Sequence, residues 1–150
     1  MNRKHMFFAV VAFGLVFVGM WALTWTSPSA RLARHHDQWL SHPILNYRYT
    51  VHREDALVGY ATSVTSVEVR NGTLLWVSPS DGTETCPDLC TVEGLFNTAA
   101  RALISARTGS FWAGIDYHSQ YGFPERICTG YDGEVDSNGC WIVTEFEPTE

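Results

Sequence analysis

Asp116 and His118 stand two residues apart at the end of a run in which Phe111, Ala113, Ile115 and Tyr117 alternate with Trp112, Gly114 and Asp116. Alternation of period two is a strand signal, and on a strand residues two apart share a face. A carboxylate beside an imidazole is an acid–base pair, the chemistry a small hydrolase would use. The pair has no companion, because the chain contains neither a nucleophile motif nor a glycine-rich phosphate loop. Catalysis is therefore the weaker reading. The other histidines, His5, His35, His36, His42 and His52, have no spacing that puts two on one face of a helix or strand, so surface or packing roles are expected rather than a metal site.

Four cysteines follow residue 80: Cys86, Cys90, Cys128 and Cys140. Zinc sites usually pair their cysteines about two to four residues apart twice over, and Cys128 and Cys140 do not. An even number of cysteines in one acidic domain is expected of disulfides in an oxidising compartment, here Cys86 with Cys90 and Cys128 with Cys140 across a hairpin loop. Glu134, Asp136, Asn138, Gly139 and Glu145 match the calcium-loop spacing E-x-D-x-N-G-x5-E, with Glu in place of the first Asp, and Asp132 adds a carboxylate. A strand from Gly139 would carry Glu145 roughly 20 Å away, too far to close a sphere of bonds about 2.5 Å long. An ion would rest on Asp132, Glu134, Asp136 and Asn138 alone. A solvated hairpin loop is the stronger reading, and no cofactor is expected.

The elements that must position these residues centre on Thr91 to Arg107. Val92, Leu95, Phe96, Ala99, Ala100, Leu103 and Ile104 form one stripe at helical spacing, with Thr91 as N-cap, Glu93 in the first turn and Gly109 as a stop. An earlier helix is expected from Ala30 to Leu40, after a Ser27-Pro28-Ser29 linker. Strands are expected at Tyr47 to His52, at Tyr60 to Val69 with a bulge near Thr65-Ser66, and after the Asn71-Gly72 turn. That turn places Arg70 opposite Thr73, Val69 opposite Leu74 and Val67 opposite Trp76. Three more strands follow the central helix: Phe111 to Tyr117, Arg126 to Thr129, and Cys140 to Glu147 after a polar loop from Gly130 to Gly139. The order α-β-β-β-α-β-β-β predicts an α+β domain, a mostly antiparallel sheet of about six strands with two helices on one face.

Residues 1–29 differ in kind from residues 30–150. Met6 to Trp25 is twenty residues without a charge, long enough to span roughly 30 Å of hydrocarbon, and Trp21 and Trp25 sit where an interfacial belt would lie. A single-pass, uncleaved anchor is expected, with a cleaved signal segment as the lesser reading, because the run is longer than a signal's apolar region and Ser27-Pro28-Ser29-Ala30 fits a cleavage site poorly. Arg3 and Lys4 before it are matched by Arg31 and Arg34 after it, so charge does not orient it; the cysteines place the C-terminal domain outside the cytoplasm. Beyond Ala30 there are eight Arg, no Lys and all sixteen Asp and Glu, a formal charge of −8 that repels nucleic acid.

Trp39 with Tyr47-x-Tyr49, Val67-x-Val69-x-Asn71-Gly72, Thr91-Val92-Glu93-x-Leu95-Phe96 and Tyr117-x-x-x-x-Gly122-Phe123-Pro124 together resemble bacterial domain-of-unknown-function family 6174 over about residues 36 to 148. The resemblance implies a small exported or lipoprotein-like α+β domain of unassigned function and supplies no catalytic residues. Two departures stand out: members often carry an acidic residue where His118 stands, and this chain has no lipidation cysteine after its apolar run. The function expected is a membrane-tethered extracytoplasmic binding or assembly module with a protein partner.

Overall fold

The computed structural model describes residues 27–55, 61–78 and 88–149. The expected anchor at Met6 to Trp25 and Cys86 lie outside the described residues, and no helix among the described residues is long and apolar enough to cross a membrane. The elements run α1 (Pro28–Ser41), β1 (Tyr47–Asp55), β2 (Ala61–Arg70), β3 (Thr73–Ser78), α2 (Val92–Ser105), a 3-10 turn (Ala106–Thr108), β4 (Phe111–Tyr117), β5 (Pro124–Tyr131) and β6 (Glu134–Pro148). The six strands form one antiparallel sheet ordered β3-β2-β1-β6-β5-β4. The expected α+β architecture is present. Its two three-stranded meanders meet through β1 and β6, so α2 must carry the chain across the sheet to the far edge at β4.

Local chemistry explains both helices. Thr91 Oγ1 accepts from Gly94 N at 3.0 Å and Glu93 sits in the first turn of α2, while Gly109 at φ 123° ends the 3-10 turn. The helix α1 begins two residues before the expected Ala30. Ser27 Oγ accepts from Ala30 N at 3.2 Å and Pro28 occupies the first turn, so the supposed linker is a cap followed by a proline already set for helix.

The core lies between the helices and one face of the sheet. Val92, Leu95, Phe96 and Ala99 of the expected stripe are buried against Tyr47, Tyr49, Val51, Val67, Val69, Ile127 and Val143. Ile104 is not: at 62 % exposure it faces solvent, because Ala102 is the buried residue of the last turn and a position two further on is rotated by about 200°. Two hydroxyls of β1 hold the start of α2. Tyr47 Oη accepts from Val92 N at 3.0 Å, and Tyr49 Oη donates to the Leu89 carbonyl. Beside them Phe123, fully buried, meets Trp39 edge-on at 6.3 Å and Phe146 at 4.6 Å. Gly122 precedes it at φ 79°, and a Cβ there would come within 2.9 Å of the Gln38 amide and 3.1 Å of His35 O.

Three expectations about the strands change. No bulge occurs at Thr65-Ser66, where β1 and β2 pair continuously; Val64 is simply exposed, at 53 %, on the side away from the helices. The Asn71-Gly72 turn has φ of 50° and 72°, and Arg70 opposes Thr73 and Val69 opposes Leu74 as expected. The register then slips, so that Val67 opposes Val77 and Glu68 opposes Trp76, which brings Val77 rather than Leu74 against the core. The polar loop from Gly130 to Gly139 is absent as well. Asp132-Gly133 alone makes the turn, and β6 runs from Glu134 to Pro148.

At Gly94 a Cβ would lie 2.6 Å from the Asp88 carbonyl oxygen, a backbone atom that cannot rotate away. Gly94→Ala is therefore expected to cost about 1 to 3 kcal/mol, read as a fall in Tm. Gly114→Ala, whose Cβ would meet nothing nearer than 3.9 Å, is expected to leave Tm unchanged or raise it.

Candidate functional site

Because both helices pack on one face, β1 alternates between a buried side of Tyr47, Tyr49 and Val51 and an opposite side of Arg48, Thr50, His52 and Glu54. Among the described residues no helix covers that second side. It forms a shallow groove of about 570 Å³ lined by Arg48, Thr50, Ser66, Glu68, Glu145 and Glu147. Arg48 Nε donates to Glu147 Oε2 at 2.7 Å, Thr50 Oγ1 donates to Glu145 Oε2 at 3.0 Å, and Arg70 Nη2 meets Glu68 Oε1 at 2.9 Å. Exposed pairs of this kind add little stability, so they are better understood as polar groups held ready on a firm sheet.

A bulge in β6 supplies two of the carboxylates. Thr50 opposes Thr144 but Arg48 opposes Glu147, so Glu145 and Phe146 share the place facing Tyr49, with Glu145 at φ 55°. The extra residue reverses the alternation, so Glu145 and Glu147, which would otherwise share the buried side of Val143, reach the groove while Phe146 packs beneath. Sequence reasoning passed over this set, since its members come from three strands. The legible signal was the polar half of each alternating strand.

Apart from Glu145, the residues singled out from sequence do not assemble here. Asp116 is exposed on the open side opposite Arg126, but the β4–β5 register shifts between Asp116 and Tyr117, and His118 lies beyond the end of the strand. Its ring stacks on Tyr121 at 5.0 Å and Phe123 at 4.9 Å, and Nδ1 accepts from Gln120 N and Tyr121 N at 3.3 Å. The expected shared face is lost where the ladder ends. His118 is thus the inner cap of the turn, and the residue opposite Asp116 is Arg126.

Each remaining described histidine has a local partner. His35 stacks on Tyr117 at 3.9 Å, His36 meets Glu93 at 3.0 Å, His42 meets Ser41 at 3.0 Å and His52 meets Glu54 at 3.6 Å. Burial raises the Tyr117 hydroxyl to about 12 and pushes Tyr47 and Tyr49 up as well.

Cys128 is bonded to Cys140, its direct partner across β5 and β6. Cys90 is also disulfide-bonded, and its expected pairing with Cys86 lies outside the described residues. Along the would-be calcium loop the backbone is extended, so Glu134 and Asn138 are roughly 13 Å apart at their backbones, and Asp132 lies in the turn before them. That spacing does not wrap an ion. Asn138 instead lies across Gly130, where a Cβ would fall 1.7 Å from its Oδ1, and no group of three His, Cys, Asp or Glu gathers among the described residues.

Residues 31–148 match the model of a family described as a family of unknown function, DUF6174. No curated protein and no solved structure matches the chain.

Two outcomes test this geometry. His118→Asn keeps an acceptor for the two turn amides and is expected to hold Tm near wild type, whereas His118→Ala should lose about 1 to 2 kcal/mol. Burial lowers His35 below 6.5; Gln38 opposes the shift, and Arg31 and Arg34 add to it. The unfolded chain then takes up the proton first, so stability present above 6.5 is lost as pH falls through the folded value. The Tm difference between about pH 7.5 and about pH 5 should shrink in His35→Phe, which keeps a ring on Tyr117 but cannot protonate.

Proposed function

We propose, for a chain that belongs to the DUF6174 family, a membrane-tethered extracytoplasmic binding or assembly module that docks a protein partner on the open face of its sheet. The observation that carries this reading is the groove lined by Arg48, Thr50, Ser66, Glu68, Glu145 and Glu147 on the side the helices leave uncovered. Its charged and hydroxyl groups are held by a six-stranded sheet, so little ordering is needed on contact. Three carboxylates outnumber the guanidiniums of Arg48 and Arg70, which suits a basic or hydroxyl-rich segment. The tether is supported by the uncharged stretch Met6 to Trp25, and the oxidising side by the Cys128–Cys140 bond. A hydrolase built on Asp116 and His118 would need a pairing that the end of β4 interrupts. It is the lesser reading.

The experiment places a photoreactive residue at Ser66, at Thr50 or, as a control on the helix side, at Asp37 of the full chain in its own membranes. Adducts are expected from Ser66 and Thr50 and not from Asp37, in a fraction released only by detergent. Adducts confined to Asp37, or release by alkaline carbonate, would overturn the docking face and the tether respectively.

A further inference from the structure

We propose that the Cys128–Cys140 disulfide is a redox-active site that exchanges with a dithiol reductant, Cys128 being the sulfur attacked and Cys140 the sulfur that leaves. The bond lies on the open face, because Cys140 opposes Glu54 of β1 and shares its side, opposite the buried Val51 and Val143. Four residues stand in one row across the sheet: Glu54, Cys140, Cys128 and Gly114.

Thiol–disulfide exchange proceeds in line, with the incoming thiolate, the attacked sulfur and the leaving sulfur nearly collinear. Approach to Cys140 along that row comes from the Glu54 side, where a carboxylate repels a thiolate. Approach to Cys128 comes over Gly114, which has no side chain, and the nearest atom to a Cβ there is Trp112 Cζ3 at 3.9 Å. Only one end of the bond is open. At the other end Arg126 Nη2 lies 3.7 Å from Cys140 Sγ, so a guanidinium stands ready to stabilise the thiolate that departs. On the open face the charged groups of the neighbourhood are Glu54 and His52 from β1, Asp116 from β4 and Arg126 from β5, with Arg53 and Asp55 of β1 beside Gly139; Arg126 contacts the sulfur.

The thiolate forms a bond to Cys128 Sγ while the disulfide breaks and its electron pair moves to Cys140 Sγ. The second thiol of the dithiol then attacks the mixed disulfide and leaves as part of the reductant's own disulfide. The dithiol is oxidised by two electrons, and its two protons end on Cys128 and Cys140. The sheet outlasts the bond, because Ile127 opposite Trp141 and Thr129 opposite Gly139 hold the register on either side. The sulfurs therefore stay adjacent, and the exchange is reversible. Cys90, just before α2, is only 2 % exposed, so its own sulfur has no such approach.

The test treats the native full-length protein, without denaturant, with dithiothreitol for rates and with glutathione to trap the mixed disulfide, followed by alkylation and peptide mapping. Cys128–Cys140 is expected to open with far-UV circular dichroism unchanged and with glutathione on Cys128. Gly114→Val should slow opening roughly tenfold by blocking access, and Arg126→Gln several-fold by raising the pKa of the leaving thiol. Glutathione on Cys140, or opening that occurs only as the fold is lost, would overturn the proposal. Should Gly114→Val fail to fold, the wild-type position of the adduct decides alone.

Discussion

Everything in this domain depends on how the first turn of α2 is fastened to the middle of the sheet. A helix start leaves backbone donors without partners, and here the buried Val92 amide is satisfied by the hydroxyl of Tyr47, while Tyr49 donates to the carbonyl of Leu89 one turn earlier. Both tyrosines come from β1, the strand that joins the two meanders. Burial makes each hydroxyl costly to leave unpaired, so the clasp specifies one position for α2 rather than a range. Gly94 follows from the same constraint, since the Asp88 carbonyl presses where its side chain would be.

With α2 fixed there, the apolar side of every strand is committed to the helices. The aromatic corner of Trp39, Tyr47, Phe123 and Phe146 closes the core where α1, the turn after β4 and the β6 bulge converge. Tight packing on one side forces the polar residues of the same strands to the other. The groove and the disulfide are thus products of one arrangement. Arg48, Glu68, Glu145 and Glu147 line one part of that face, and the row from Glu54 to Gly114 crosses another.

The β6 bulge shows how a small irregularity serves both sides at once. An ordinary strand would put Glu145 and Glu147 on the buried side of Val143 and send Phe146 to the open side. In β6 two residues face the single Tyr49, which reverses the alternation, twists the strand and tucks Phe146 against Phe123. Glu145 tolerates a left-handed φ of 55° because its side chain and its neighbour's packing both gain from it.

Sequence alone determined the element order, the caps and stop of α2, the Asn71-Gly72 turn and the pairing of Cys128 with Cys140. These depend on signals a few residues long, such as periodicity, a capping hydroxyl, a glycine free to take positive φ, or the parity of two facing cysteines. Ser27-Pro28 carries the same kind of local signal, yet it reads as a linker until the helix it caps is seen. Tertiary structure decided what no local pattern carries: the slip that sets Val67 against Val77, the break that turns His118 away from Asp116, and the replacement of a loop by β6. Where a strand ends, shifts or bulges is determined by the ladder beside it, and a period of two holds only while that ladder is unbroken. The groove was hidden for the same reason, because residues as far apart in the chain as Arg48, Glu68 and Glu147 become neighbours only when β1, β2 and β6 lie side by side.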